Sequence, residues 1–257
     1  MCGRYVITTS PEQLRQYFSY DERPNMPARY NIAPTQPVPV VLADNETRHF
    51  QLMRWGFLPS WLKDPRGFPL LINARAETVT EKAAFRNAIR RRRCLLPADG
   101  YYEWQTEGSR KQPFYIRPQA GGPMALAGIA ETWTGPNGEE VDTVAIITAE
   151  ANADLAVLHH RTPVVIAPED FSLWLDCRNG DAREAISLLV PPAIGAFIWH
   201  PVSIAVNRVS NDTPSLLAPV SEAEIAAEAA QASPKITRAR QPSPQKPRPD
   251  ENQGSLF

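Results

Sequence analysis

Met124-Ala125-Leu126-Ala127-Gly128-Ile129 and, further along, Thr143-Val144-Ala145-Ile146-Ile147-Thr148 are the stretches whose reading decides the fold. Each is a short apolar run bounded by turn signals, the length of a strand rather than a helix. Val38–Leu42, Phe50–Trp55, Pro113–Arg117 and Val164–Ile166 read the same way. Helical patterns are fewer: Pro11–Phe18, Thr80–Arg92, Ala153–Leu158, Pro168–Leu175 and Asp181–Val190. Strands outnumber helices without regular βαβ alternation, and no internal repeat is visible. The pattern predicts an α+β domain with a mainly antiparallel, barrel-like sheet and flanking helices.

The 257 residues, 43% of them hydrophobic, are enough for a sizeable core. A formal net charge of −1 gives no global attraction to a polyanion, so any nucleic-acid site must come from local clustering. The three cysteines, Cys2, Cys94 and Cys177, are odd in number and widely spaced, which argues against a disulfide framework and against a structural zinc. No signal-peptide pattern and no membrane-length apolar run are present, so the expectation is a soluble protein of a reducing cytoplasm. Many of the 26 prolines punctuate the strands; the rest crowd a polar, basic tail. The division expected is a catalytic domain over 1–222, a helix over 223–232 opened by a Ser221/Glu224 capping box, and a disordered tail over 233–257.

Several constellations carry chemistry. Cys2 follows the initiator methionine, and loss of Met1 would leave a 1,2-aminothiol. Its amine titrates near ~7.7–8.0 and its thiol near ~8.5, so both are partly nucleophilic at neutral pH. Together they can capture an aldehyde in a five-membered ring; the plainer alternative is a small buried cysteine on a first strand. On a helix over Thr80–Arg92, Lys82, Arg86, Arg90 and the following Arg93 would share a face, a stripe that attracts phosphates or is simply solvated. The loops Arg29–Pro34 and Arg54–Trp61 set arginines beside planar or rigid groups on which bases stack, although Trp55 taken alone reads as core. Asn73, Arg75 and Glu77 would share one face of an extended segment, as a polar pocket wall or an exposed strand face. Glu103 stands among aromatics in Gly100-Tyr101-Tyr102-Glu103-Trp104, where desolvation would suit it to general acid work. In His159-His160-Arg161-Thr162-Pro163, one histidine could shuttle protons and Arg161 clamp a phosphate.

Taken in order, Met1-Cys2-Gly3-Arg4-Tyr5, the Arg29–Pro34 run, Trp55-Gly56-Phe57, Ile72–Glu77, Gly100–Trp104, His159–Pro163 and Trp199-His200-Pro201-Val202 resemble the SRAP family, the SOS-response-associated peptidases or abasic-site processing proteins. The resemblance spans about residues 2–220. It implies a sensor of abasic sites in single-stranded DNA that forms a thiazolidine crosslink through Cys2 and takes part in the DNA damage response. It also implies self-removal of Met1 and room for weak lyase activity. The family's catalytic positions fall on Cys2, Asn73, Glu103 and His159. DNA contacts are expected from Arg4, Asn31, Pro34, Trp55, Trp61, Arg75 and Arg161. Thr162 departs from the Met or Arg usual before the proline. No metal and no cofactor is expected, and a monomeric, nucleoid-associated bacterial protein is.

The last residues, Gln253-Gly254-Ser255-Leu256-Phe257, resemble the peptide that docks bacterial proteins onto the replicative sliding clamp, through Gln253, Leu256 and Phe257. Two other functions compete. Glutamine amidotransferases also begin Met-Cys-Gly and use the thiol on an amide, but with Ile next, where this chain has Arg4. A non-catalytic single-strand-binding module would use the basic stripe alone.

Overall fold

The computed structural model describes residues 2–45, 47–108, 110–178 and 182–232, the side chains of Ala229, Gln231 and Ala232 aside. In chain order the elements are β1 (Arg4–Ile7), α1 (Pro11–Phe18), β2 (Arg29–Ile32), β3 (Pro37–Asp44), β4 (Thr47–Trp55), β5 (Asn73–Arg75), α2 (Ala88–Arg91), β6 (Arg93–Ala98), β7 (Gly100–Glu107), β8 (Arg110–Pro118), β9 (Met124–Thr134), β10 (Glu140–Glu150), α3 (Ala153–Ala156), β11 (Arg161–Pro163), β12 (Val165–Ile166), α4 (Phe171–Leu175), α5 (Ala182–Ser187), β13 (Phe197–Pro201) and α6 (Glu222–Ala232).

Strands β3, β4, β10, β9 and β6 pair in a ring. The ladders are antiparallel except for β4 with β10, which run parallel through Thr143↔Arg54 and Val144↔Trp55 and close the barrel. Closure removes the exposed sheet edges that would otherwise need protection. The interior is filled by Val38, Val40, Met53, Trp55, Leu96, Leu126 and Ile146, all buried. Gly128 pairs with Cys94 on one side and Ile146 on the other. A Cβ there would lie 2.9 Å from Cys94 Sγ, so the side-chain-free position lets the three strands close up. A second sheet, ordered β13-β8-β7-β1-β2, packs beside the barrel. The α+β, mainly antiparallel, barrel-like expectation describes this architecture.

Local chemistry explains several ends. Ser10 caps α1 by accepting from Gln13 N while Gln13 Oε1 accepts from Ser10 N, a reciprocal capping box. Ser221 and Glu224 do the same for α6.

The helix expected over Thr80–Arg92 is not there. Residues 78–87 form turns, with Lys82 N bonded to Thr78 O and Phe85 N to Lys82 O, and only Ala88–Arg91 is helical. The chain bends so that Phe85 enters the core edge-on to Phe57 at 5.3 Å. The four-residue basic stripe fails with the helix. Arg93 is 1% exposed; its Nε donates to Trp174 O at 2.6 Å, Nη1 to Ile89 O at 3.0 Å and Nη2 to Asp176 O. It ties α2 and α4 together, while Lys82, Arg86 and Arg90 remain exposed. Among the described residues no helix is long and apolar enough to cross a membrane. The tail, with Gln253, Leu256 and Phe257, lies outside the described residues.

Candidate functional site

The antiparallel register of β1 on β7, Arg4↔Tyr102 and Tyr5↔Tyr101, carries the residues just before Arg4 alongside Glu103. Cys2 is fully buried there. Burial pushes its thiol pKa up, the Glu103 carboxylate adds to the rise, and the Arg4 backbone N–H works against it. Asn73 is delivered by β5, which runs parallel to β10 with Asn73 opposite Ile146. Its Nδ2 donates to Cys2 O at 2.9 Å, while its Oδ1 is buried without a hydrogen-bond partner. An orphaned buried acceptor costs about 1–3 kcal/mol, so its persistence marks a place where another donor belongs.

His159 arrives on the turn between α3 and β11. Its Nδ1 accepts from Arg161 N at 3.0 Å. Burial lowers its pKa, with the Glu103 carboxylate pulling the other way, and the Arg161 N–H at Nδ1 suits a neutral ring with its proton on Nε2. Glu103 and His159 line one cleft of about 530 Å³ together with Trp104, Thr106, Lys111 and Asn207. Trp104, Thr106 and His159 also border an adjoining hollow of about 580 Å³. Both are large enough for a nucleotide-sized group. Trp104 Nε1 donates to Asn207 Oδ1 at 2.9 Å, which fixes the indole against the cleft wall. Cys2, Asn73, Glu103 and His159 are therefore brought together from four separate segments. Tyr101 and Thr162 share a buried hydroxyl contact of 3.2 Å, so the unusual Thr162 is packing beneath the site.

The expected DNA contacts divide. Arg75 is exposed at the end of β5 and makes no ion pair among the described residues. Trp61 is 55% exposed, its Nε1 donating to Ala83 O at 3.4 Å and its ring edge-on to Phe68. Pro34 is half-buried. Those three lie at the surface, but others do not. Trp55 is wholly buried, donates to Ile72 O at 3.0 Å and packs edge-on to Tyr5; it is core and cannot stack on a base. Asn31 is 2% exposed, its Nδ2 donating to the carbonyls of Val206, Arg208 and Asn211. Arg4 donates to Asn31 Oδ1 and Val206 O, each at 2.7 Å, and to Asn207 O at 3.3 Å. Arg4 and Asn31 thus fasten the segment that supplies Asn207 to the cleft, a scaffolding part in place of the DNA contacts expected of them. Arg161 is already engaged: Glu77 accepts from Nη1 at 2.7 Å and from Nη2 at 3.0 Å, and Thr148 O accepts from Nη2 as well. Its Nε alone is buried and unpartnered.

Lys111 and Asn207 are cleft residues that sequence reasoning missed. Lys111 gains its place from the β7–β8 register, Thr106↔Lys111, which nothing in its local sequence announces. Asn207 lies in a 3-10 turn after β13, and its local sequence carries no catalytic pattern.

A family profile described as "SOS response associated peptidase (SRAP)" matches residues 1–209. The chain is 34% identical over 228 residues to the abasic site processing protein YedK of Escherichia coli (strain K12), covering 86% of this chain and 100% of that one. It is 33% identical over 221 residues to the abasic site processing protein YoqW of Bacillus subtilis (strain 168), covering 84% and 99%. It is also 33% identical over 264 residues to the abasic site processing protein HMCES of Gallus gallus, covering 86% and 78%. A solved structure of a Bacteroides thetaiotaomicron protein superposes with a TM-score of 0.77 at 24% identity, covering 86% of this chain and 100% of that one, a likeness of fold.

Proposed function

This chain belongs to the SRAP family, and from that premise we propose that it processes abasic sites in single-stranded DNA by a covalent crosslink through Cys2. The observation that carries the reading is the seat of Cys2: buried beside Glu103 with its carbonyl held by Asn73, while Glu103 itself lines a cleft together with His159. Removal of Met1 is the first step, by self-processing peptidase action or by a separate aminopeptidase. The new α-amine then has an acceptor waiting in the orphaned Asn73 Oδ1.

The abasic sugar is a cyclic hemiacetal in balance with its open aldehyde. His159 assists the opening. The neutral amine adds to the aldehyde carbon, forming a C–N bond, and Glu103 relays the protons that let the carbinolamine lose water. The thiol adds to the resulting C=N bond: a C–S bond forms, the thiol proton ends on nitrogen, and the thiazolidine ring closes. Sulfur and nitrogen on one residue make the second step intramolecular, with the large rate advantage that brings. The imine also opens a β-elimination route, a minor lyase activity. Arg75, Trp61 and Pro34 guide the strand.

The test is mass spectrometry of protein mixed with an abasic oligonucleotide. The expected product joins the Met1-free protein to the DNA with loss of one water, on the N-terminal peptide. Cys2→Ala keeps DNA binding and loses the adduct; an adduct that survives Cys2→Ala refutes the mechanism. We also propose that the 253–257 peptide docks on the sliding clamp, and unchanged clamp affinity after its deletion would remove that idea.

A further inference from the structure

We propose that Glu77 is a positioning residue for His159, acting through Arg161; the inference rests on the proposed function above and adds a residue to its machinery. Glu77 grips the guanidinium end-on through both carboxylate oxygens, and Thr148 O holds it from β10. The Arg161 side chain is 9% exposed, and its main chain pairs with Glu150 at the start of β11. Glu77 Oε1 also accepts from Glu150 N at 3.3 Å, so one carboxylate ties both strands at the level of Arg161. Arg161 is pinned at head and backbone alike.

That main chain is what His159 rests on. Nδ1 lies 3.0 Å from Arg161 N and 3.3 Å from Arg161 O. An amide N–H can only donate and a carbonyl can only accept. With Nδ1 bare, the ring takes the N–H and shows a proton on Nε2 to the cleft. With Nδ1 protonated, the ring bonds the carbonyl and shows Nε2 as a lone pair. The N–H contact is the closer of the two and a protonated Nδ1 would face that donor, so Arg161 holds the ring with its proton on Nε2.

Opening of a cyclic hemiacetal needs this. The C1 hydroxyl gives up a proton, the bond from C1 to the ring oxygen breaks, C1 becomes the aldehyde carbon, and the ring oxygen gains a proton. The reaction is an isomerisation with no net proton change. A single nitrogen that gives its proton to the ring oxygen and takes one from the C1 hydroxyl suffices, provided Arg161 stays fixed beneath the ring. The other charged or titratable groups around the imidazole are Glu103 from β7, Lys111 from β8 and the adjacent His160, whose ring centroid is 4.3 Å away.

The experiment compares single-turnover crosslinking by wild type and Glu77→Gln on two oligonucleotides, one carrying the natural cyclic abasic sugar and one an acyclic aldehyde that needs no opening. On the cyclic substrate the saturating rate should fall about tenfold or more, as small displacements of acid–base groups do, with the half-saturating DNA concentration nearly unchanged. On the acyclic substrate the two proteins should react alike. An equal fall on both substrates, no fall on either, or tighter DNA binding at an unchanged rate would overturn the assignment. Imidazole 15N spectra of the wild type give a reading independent of the variant's folding: the Nε2–H tautomer is expected for His159 at neutral pH, and a predominant Nδ1–H form overturns the assignment. A wild-type protein inert toward both oligonucleotides would instead defeat the proposed function.

Discussion

Replacing Arg93 by Met tests whether this arginine belongs to the interior or to a DNA-binding surface. The side chain is 1% exposed, and its guanidinium donates to the carbonyls of Trp174, Ile89 and Asp176, with Trp174's ring 5.8 Å from its carbon. Met fills similar volume and supplies no donors, so three carbonyls lose their partner. Each unsatisfied buried polar group costs about 1–3 kcal/mol. Relaxation toward solvent at the α4 end trims the sum, and a loss of about 3–5 kcal/mol is expected. For a domain of this size that lowers Tm by roughly 6–20 °C. The assay is thermal unfolding followed by circular dichroism, paired with single-stranded DNA binding across a salt series on the folded protein. The salt slope should stay at the wild-type value, because the group never reaches a phosphate. Arg75→Ala should do the opposite, leaving Tm in place and reducing the slope by about 0.7. A Tm within about 2 °C of wild type together with a shallower salt slope for Arg93→Met would refute the reasoning.

Other substitutions probe the remaining layers. Trp61→Ala should weaken single-stranded DNA binding by about 1–3 kcal/mol with Tm unmoved, since the indole is 55% exposed; fluorescence anisotropy reads it. Leu126→Ala opens a cavity inside the closed barrel and should cost about 2–5 kcal/mol in urea unfolding. Asn73→Leu, which removes both the Cys2 carbonyl's donor and the orphaned acceptor, should abolish fast adduct formation in a gel assay while DNA affinity holds. The Glu77–Arg161 pair gives a pH signature. The hydrogen bonds from Arg161 hold the Glu77 carboxyl below its ordinary range, so its contribution is full above the unfolded carboxylate's pKa, near ~4.3. That contribution fades as pH falls through the lower folded value. Urea midpoints of wild type and Glu77→Gln should therefore differ at pH 7 and converge in acid; a gap that persists at pH ~2 contradicts the pairing.

How much of this was legible depended on whether the signal was local. The helix expected at Pro11–Phe18 has its determinants close in sequence: Ser10 and Gln13 form its capping box and Pro11 stands in its first turn. The cores of β9 and β10 showed as apolar runs, yet both strands continue through Glu131-Thr132-Trp133 and Glu140-Val141-Asp142, where ladder pairing outweighs composition. β6 was missed altogether: its first residue is one of four successive arginines, and only the fold says that this one turns inward. The same four residues misled the helix reading, since propensity favours a helix and the demand to bury Phe85 overrules it. Barrel closure through Thr143 and Arg54 joins distant segments by a parallel ladder that leaves no mark in either. At the site, Cys2, Asn73, Glu103 and His159 were named from their motifs, and the structure draws the four close together. The expected contacts at Arg4, Asn31 and Trp55 went astray because polarity and aromaticity do not say which way a side chain points. Lys111 and Asn207 owe their places to pairing and packing alone.

The grip of Arg4 on Val206, residues 202 apart in the chain, has a consequence for biosynthesis. A ribosome delivers the first strand early and the segment that completes the cleft much later. Throughout that interval the nascent amino terminus has no finished groove around it and stays within reach of processing enzymes. The cleft is thus completed by the arrival of its own last wall, and a polypeptide cut short before that point would leave Cys2 beside an unfinished groove.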